Sequence, residues 1–218
     1  PLTSPEIERQ IGARVVQQLG ATVDLSRQAD LTIGIEISRD GAFVYTETMA
    51  GLGGLPVGVE GRVVALLSGG LDSYAAAWLM LKRGCAVIPV HFAKTAIERE
   101  AVLRQIDELQ RYCYGWYMRP IILDYATTIE PYLRRLHTLR EERYTCTVCK
   151  HVMLAQAQEL AREHDAHGLV VGDALGQVAS QTLLSLEAVS HGISMPVFRP
   201  LIGMDKAEIL SLAERAGA

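Results

Sequence analysis

Leu66-Leu67-Ser68-Gly69-Gly70-Leu71-Asp72-Ser73 stands between a short apolar run, Arg62–Leu67, and a segment of helical character, Ser73–Arg83, that stops at Gly84. Strand, glycine-rich turn and helix in that order put the turn where a helix N-terminus opens. Adjacent glycines let the backbone bend sharply and approach a phosphate without a Cβ in the way. The unpaired N–H groups and positive dipole end of the helix favour an anion, and Ser68 and Ser73 add hydroxyl donors. Asp72 by itself repels phosphate, so it fits this place only with a bridging cation such as Mg²⁺. No Lys lies in the loop and the Gly-x₄-Gly-Lys-Ser/Thr pattern is missing, which excludes a kinase-type cradle for a γ-phosphate. A plain strand-to-helix turn would account for Gly-Gly alone. It accounts less well for the full Ser-Gly-Gly-x-Asp-Ser in this setting.

Outward from the loop, the chain alternates strands with helices. Cys85–Phe92 reads as a buried strand, Ile97–Tyr112 as a long helix, Pro120–Leu123 as a strand and Cys149–His164 as a helix. Gly168–Val171 is a strand, Gln181–Val189 a helix and Lys206–Ala216 a last helix. This rhythm predicts an α/β fold, a doubly wound parallel sheet covered on both faces, with ligands outside the carboxyl ends of its strands. Upstream the pattern differs. Ile7, Ile11, Val15 and Leu19 make one stripe of a helix over 6–19, with Ser4-Pro5 to start it and Gly20 to stop it. Leu31–Ser38, the turn Arg39-Asp40-Gly41 and Phe43–Thr48 predict a hairpin with one polar face. Gly51–Gly58, rich in Gly, reads as a flexible connection. The expected organisation is therefore a small α/β module over 1–50, a linker over 51–60 and the main domain over 61–218.

Composition narrows the class without naming it. A chain of 218 residues, 49% hydrophobic and 21% charged, can bury an ordinary core. Its formal charge of −4 gives no global basic field, although one local basic face would suffice for RNA. No apolar run approaches the roughly 20 residues that span a bilayer, and Pro1–Pro5 has no signal-peptide pattern. Four cysteines do not make a secreted disulfide framework, so a cytoplasmic protein is expected.

Ser68–Ser73 resembles the PP-loop of ATP pyrophosphatases, which adenylate a substrate at the α-phosphate and release pyrophosphate. Two further stretches narrow the resemblance, Gly172-Asp-Ala-Leu-Gly-Gln-Val-Ala-Ser-Gln-Thr-Leu183 and Pro200-Leu-Ile-Gly-Met-Asp-Lys206. With Gly54-Leu-Pro-Val-Gly58 they are similar to the tRNA 4-thiouridine synthetase family, also called the thiamine-biosynthesis sulfurtransferase, over essentially the whole chain. The resemblance implies an adenine nucleotide alpha hydrolase-like fold and makes residues 1–50 the C-terminal part of a THUMP-like, tRNA-binding domain. On the residues alone, a structural subdomain without RNA contact is the simpler reading of that region.

The resemblance also implies ATP contacts at Leu66, Leu67, His91, Phe92, Lys150, Gly172 and Gln181. Most suit that work chemically. His91 and Phe92 end a strand where an adenine could stack; Gly172 ends another where a larger residue would obstruct the nucleotide; Lys150 could neutralise phosphate charge. Asp173 would face the same crevice, either helping to hold Mg²⁺ or capping the segment that follows. The implied reaction is adenylation of a tRNA uridine by ATP and Mg²⁺, then displacement of AMP by sulfur. The sulfur would come from a cysteine desulfurase persulfide or sulfide, or through a sulfur-carrier protein. A role in thiamine thiazole sulfur supply and a homodimer are open.

Cys146-Thr-Val-Cys149, placed just before a helix and beside Lys150, is open between a redox pair, half a metal site and two packed thiols. Some family members use such a pair, with a third Cys, to hold an iron–sulfur cluster, which would make Cys146 and Cys149 metal ligands; Lys150 beside them would lower their thiol pKa. Cys85 and Cys113 read as small packed hydrophobes. No residue matches the family's sulfur-carrying cysteine, which follows the last helix, so a fragment is expected. Two rivals stand beside this reading: another PP-loop enzyme of the deazapurine-nitrile synthase kind, and a tRNA-binding module with a vestigial ATP site.

Overall fold

Thr3 opens the first helix, α1 (Ser4–Leu19), by capping it: its backbone N–H donates to Glu6 Oε2 at 2.8 Å. Gly20, in the left-handed region at φ 65°, closes the helix and donates to Val16 O at 2.9 Å. In this computed structural model residues 3–24, 26, 29–49, 51–178 and 180–217 are described, so residue 179 of the Gly172–Leu183 block and residue 50 lie outside them. The chain forms two compact units, 1–51 and 52–218.

In the first unit β1 (Gly34–Ser38) and β2 (Gly41–Tyr45) pair antiparallel, Ser38 opposite Gly41. The turn is thus only Arg39-Asp40; β1 begins three residues later than the hydrophobic alternation suggested and ends where expected, and β2 is shorter and begins two residues earlier. Ile35 and Ile37 share a face with Val44 and Ala42, while Glu36 lies opposite Phe43.

The second unit is a five-stranded parallel sheet of order β5-β4-β3-β6-β7: β3 (Arg62–Leu66), β4 (Ala86–Ala93), β5 (Ile121–Asp124), β6 (Leu169–Val170) and β7 (Val197–Phe198). The chain winds outward from β3 through β4 to β5, then returns to place β6 on the other side of β3. The switch point therefore falls beside β3, where open α/β sheets form their crevice. Side-chain alternation along β3 separates two cores. Val63, Ala65 and Leu67 pack with α2 (Leu71–Lys82), α3 (Ala96–Gln110) and α8 (Lys206–Arg215). Val64 packs on the opposite face with α6 (Thr145–Glu163) and α7 (Leu183–Ser190).

The α2 helix is buried continuously from Ser73 to Trp78. Ala75, Ala76 and Ala77 let it approach the sheet closely, which is why it lacks an amphipathic period. The stretch read as a flexible connection is in fact pinned: Leu55 N donates to Lys82 O at 3.0 Å and Gly58 N to Gly84 O at 2.8 Å. A Cβ on Gly54 would strike the Lys82 carbonyl. Two short helices, α4 (Tyr125–Thr128) and α5 (Glu130–Thr138), and the two-residue β7 were absent from the sequence reading. Asp124 caps α4 by accepting from Thr127 N at 3.1 Å. No helix among the described residues is long and apolar enough to cross a membrane.

Candidate functional site

The loop after β3 closes on itself through its two serines. Ser73 Oγ donates to Gly70 O at 3.0 Å and accepts from Ser68 N at 3.1 Å; Gly70 N donates to Ser68 Oγ at 3.3 Å. Ser73 is buried, so these hydroxyls chiefly shape the loop. Gly69 takes the left-handed φ of 81° that a side chain would resist, whereas Gly70 is extended and stands at the N-cap of α2. No side chain caps α2 at Gly70, and the first turn of any helix leaves N–H groups without intrahelical acceptors.

Two hollows flank this loop at the carboxyl ends of the strands. One, of about 250 Å³, is lined by Leu66, Ser68, Asp72 and Ser73 on the loop side. Lys150, Gly172, Asp173 and Gln181 line its other side. The second, of about 180 Å³, is lined by Leu66, Leu67, Ser68, His91, Phe92 and Lys94 among others. Leu66, Ser68 and Met153 belong to both, so the hollows are neighbours. Every loop, strand-end and Lys150-side residue expected at the nucleotide lines one or the other except Gly69 and Gly70, which form the turn itself.

The buried His91 approaches Leu67 O with Nδ1 at 2.8 Å. A carbonyl only accepts, so Nδ1 carries the proton, and Nε2 is left buried without a partner. Gln181 precedes α7, whose N-cap is Thr182, so its amide is free of the helix; Nε2 donates to Asp173 Oδ1 at 3.4 Å while the buried Oε1 has no partner. Orphaned buried acceptors are costly, and two of them beside these hollows suit a ligand that brings N–H groups. Gly172 has a different reason from the one expected. A Cβ there would lie 2.6 Å from Asp72 C and Ser73 N, so the glycine already serves to admit the start of α2 beside the pocket it lines.

Charges meet here in pairs. Lys150 Nζ donates to Asp173 Oδ1 at 2.9 Å, with Arg199 Nε 3.5 Å from Oδ2. Lys206 Nζ donates to Asp72 Oδ1 at 2.6 Å. Asp173 is thus already compensated by two cations, neither a free Mg²⁺ ligand nor a helix cap. At Asp72 a protein cation, Lys206, stands where a metal ion was expected. Mg²⁺ typically takes one or two carboxylates and substrate phosphates, which Asp72 fits once Lys206 yields. Arg199 and the role of Lys206 escaped the sequence reading; the only local signal was the stretch ending at Lys206.

Cys146 and Cys149 are the second and fifth residues of α6, so the helix begins before the pair. The Glu142–Tyr144 3₁₀ turn runs straight into α6, and Thr145 Oγ1 donates to Glu142 O at 2.6 Å. Spaced i and i+3, the thiols share one helix face. Cys146 is exposed and Cys149 half-buried, its Sγ 3.4 Å from Tyr125 Oη. Burial, the thiol hydrogen bond and nearby charge push the Tyr125 phenol up. The Lys150 ammonium turns to Asp173 rather than to the cysteines. No group of three His, Cys, Asp or Glu suited to a metal exists among the described residues, so the pair does not by itself make a whole metal site. Cys85 and Cys113 are buried, just before β4 and just after α3, and burial raises both thiols, Cys113 to about 11.

The family model described as "Thiamine biosynthesis protein (ThiI)" matches residues 58–218, and that of the "THUMP domain" matches 1–47. The chain is 41% identical over 217 residues to a "Probable tRNA sulfurtransferase" of Thermococcus kodakarensis, covering 100% of this chain and 56% of that protein. It is 40% identical over 217 residues, with the same coverage, to a protein of that name in Methanocaldococcus jannaschii. Among solved structures it is similar to "a 4-thiouridine synthetase - RNA complex with bound ATP", at 32% identity and a TM-score of 0.78, covering 100% of this chain and 56% of that one. The chain thus spans about half the length of the relatives it matches.

Proposed function

The chain belongs to the thiamine-biosynthesis protein (ThiI) family, and from that premise we propose that its larger unit binds ATP with Mg²⁺ and adenylates a uridine of tRNA. This is the first half of a sulfur transfer that yields 4-thiouridine. The observation that carries the reading is the Ser68–Ser73 loop at the uncapped start of α2, opening onto a pocket walled by Lys150, Asp173 and Gln181. A solved relative at 32% identity is described as holding both RNA and ATP, which supports the same reading.

The roles follow from the geometry. The N–H groups of the loop and first turn of α2 would hold the pyrophosphate end, and Asp72 would anchor the metal. The hollow with His91 and Phe92 would take the adenine, with the unpaired His91 Nε2 accepting from its amino group. The uridine carbonyl oxygen attacks the α-phosphorus, pyrophosphate leaves, and sulfur later displaces AMP. Lys150 neutralises charge growing on the phosphates, so the protein's contribution is positioning and electrostatic stabilisation. The THUMP-like unit would hold the tRNA. A cysteine desulfurase persulfide, or sulfide, would supply the sulfur. Cys146 and Cys149 would give two thiolates to an iron–sulfur centre completed by a further ligand.

The test is pyrophosphate release by the full-length protein from ATP and Mg²⁺, with and without unmodified tRNA. Release that depends on tRNA is expected, and its absence in the presence of tight ATP binding rejects the adenylation step. The vestigial-site alternative predicts no ATP binding at all.

A further inference from the structure

The polar wall of the larger pocket is organised around one carboxylate, and that carboxylate is held from behind. Lys150, Gln181 and Asp173 line the pocket; Arg199 does not. One Asp173 oxygen takes both Lys150 Nζ, at 2.9 Å, and Gln181 Nε2, at 3.4 Å. The other oxygen faces Arg199 Nε at 3.5 Å. Arg199 follows β7 directly, its side chain is 16% exposed, and its Nη2 donates to Ser190 Oγ, at the end of α7, at 2.8 Å. Its Nε is buried without a well-formed hydrogen bond.

We infer that Arg199 is a positioning residue for nucleotide binding: by compensating Asp173 from behind, it leaves the Lys150 ammonium available to the phosphates of ATP. The argument is a charge balance. Lys150 and Asp173 alone form a neutral pair, in which the ammonium is committed to the carboxylate and offers an incoming anion little net attraction. With Arg199 the trio carries one net positive charge in a partly buried wall, where charge interactions are several times stronger than in water. Asp173 is then retained as a hub. It sets the direction of Lys150 and of the Gln181 amide, while Arg199 prevents it from holding Lys150 too firmly. A fork-shaped guanidinium suits this task, because it reaches the carboxylate and the Ser190 hydroxyl at once.

The inference rests on the proposed nucleotide site, and the experiment separates the two. Binding of ATP and of adenosine to the full-length protein is measured by calorimetry for the parent, Arg199→Gln and Arg199→Lys, with thermal midpoints recorded in parallel. Arg199→Gln should weaken ATP binding about tenfold and leave adenosine binding unchanged, because only ATP presents phosphates to Lys150. Arg199→Lys keeps the charge but not the fork that also reaches Ser190, so it should weaken ATP binding less than Arg199→Gln does. Failure of the parent to bind ATP would overturn the nucleotide site itself. A parent that binds ATP beside an Arg199→Gln variant that binds it equally well would overturn this inference alone, as would equal loss of ATP and adenosine. If Arg199→Gln does not fold, Arg199→Met is read in the same way: a fall in ATP affinity at unchanged adenosine affinity supports the charge role, and an unchanged ratio overturns it.

Discussion

Lys206, the first residue of α8, donates to Asp72, the second residue of α2, at 2.6 Å across a separation of 134 residues. The two helices pack in the same layer over the sheet, and their N-termini meet beside the Ser68–Ser73 loop. The P-loop type of cradle carries its lysine within the loop; here the cation arrives from a distant helix start. In the proposed site its partner must be shared with Mg²⁺, so the pair would open as the nucleotide enters.

The first prediction concerns that exchange. The Lys206 side chain is 55% exposed, and a pair of this kind contributes only about 0–1 kcal/mol to stability. Lys206→Met should therefore leave the thermal midpoint nearly unchanged and, because it frees Asp72 for the metal while removing a cation near the phosphates, weaken ATP binding less in Mg²⁺ than in EDTA. Asp72→Ala should differ, weakening binding more in Mg²⁺ than in EDTA, as read by calorimetry. Equal loss in both conditions would reject Asp72 as the metal anchor.

A second prediction follows from Gly172. A methyl group there would sit 2.6 Å from the backbone of Asp72 and Ser73, where no flexible side chain can yield. Gly172→Ala should cost about 1–3 kcal/mol, as overpacking does, and displace the start of α2. Denaturant melts and ATP binding should both suffer. A variant with parental stability and weakened ATP binding would restore the view that the glycine makes room for the nucleotide.

How much of this could be seen in the chain itself varied with the range of the interaction. The hexapeptide Ser68–Ser73, the strand before it and the helix after it are contiguous, and their reading needed only local spacing. The pairings Lys206–Asp72 and Arg199–Asp173 leave no local trace, because they depend on which strand ends and helix starts the sheet order brings together. β7 is two residues long, too short for any period to register. The start of α6 was misplaced for a local reason: Thr145-Cys146-Thr147-Val148 is poor in helix formers, and only the preceding 3₁₀ turn and the Thr145 hydrogen bond carry the helix back through it. Gly54–Gly58 looked loose by composition, yet Gly54 serves a close approach to the Lys82 carbonyl and Gly58 N donates to Gly84 O.

The third prediction concerns alkaline pH. Burial raises the Cys113 thiol from 9.0 to about 11, and burial with neighbouring charge raises Tyr74 from 10.0 to about 12. The folded state therefore holds these protons more tightly than the unfolded chain. Between each pair of values the native protein binds more protons, so stability falls as pH rises. Stability should be intact below about pH 9, decline first through the thiol window from 9 to 11, and decline further through the phenol window from 10 to 12. Denaturation midpoints across pH 7–11 would show it, and Cys113→Ala should flatten the slope that begins near 9. An identical slope in the parent and the variant would assign the alkaline loss to other groups.

The last prediction tests the cysteine pair. Cys146 and Cys149 sit one helical turn apart, the first exposed and the second half-buried against Tyr125. That geometry suits two ligands of one metal centre, since thiolates at i and i+3 project from the same face. Two packed thiols would instead both be buried, as Cys85 and Cys113 are. Clusters need three or four ligands, and no third stands beside the pair among the described residues, so the experiment requires the full-length protein. Anaerobic reconstitution with iron and sulfide should give visible absorbance and bound iron in the parent, and little of either in the Cys146→Ser, Cys149→Ser double variant. Tyr125→Phe removes the hydroxyl beside Cys149 while keeping the ring, and should retain iron with an altered absorbance. Iron uptake by the double variant equal to that of the parent would show that the pair does not hold the metal.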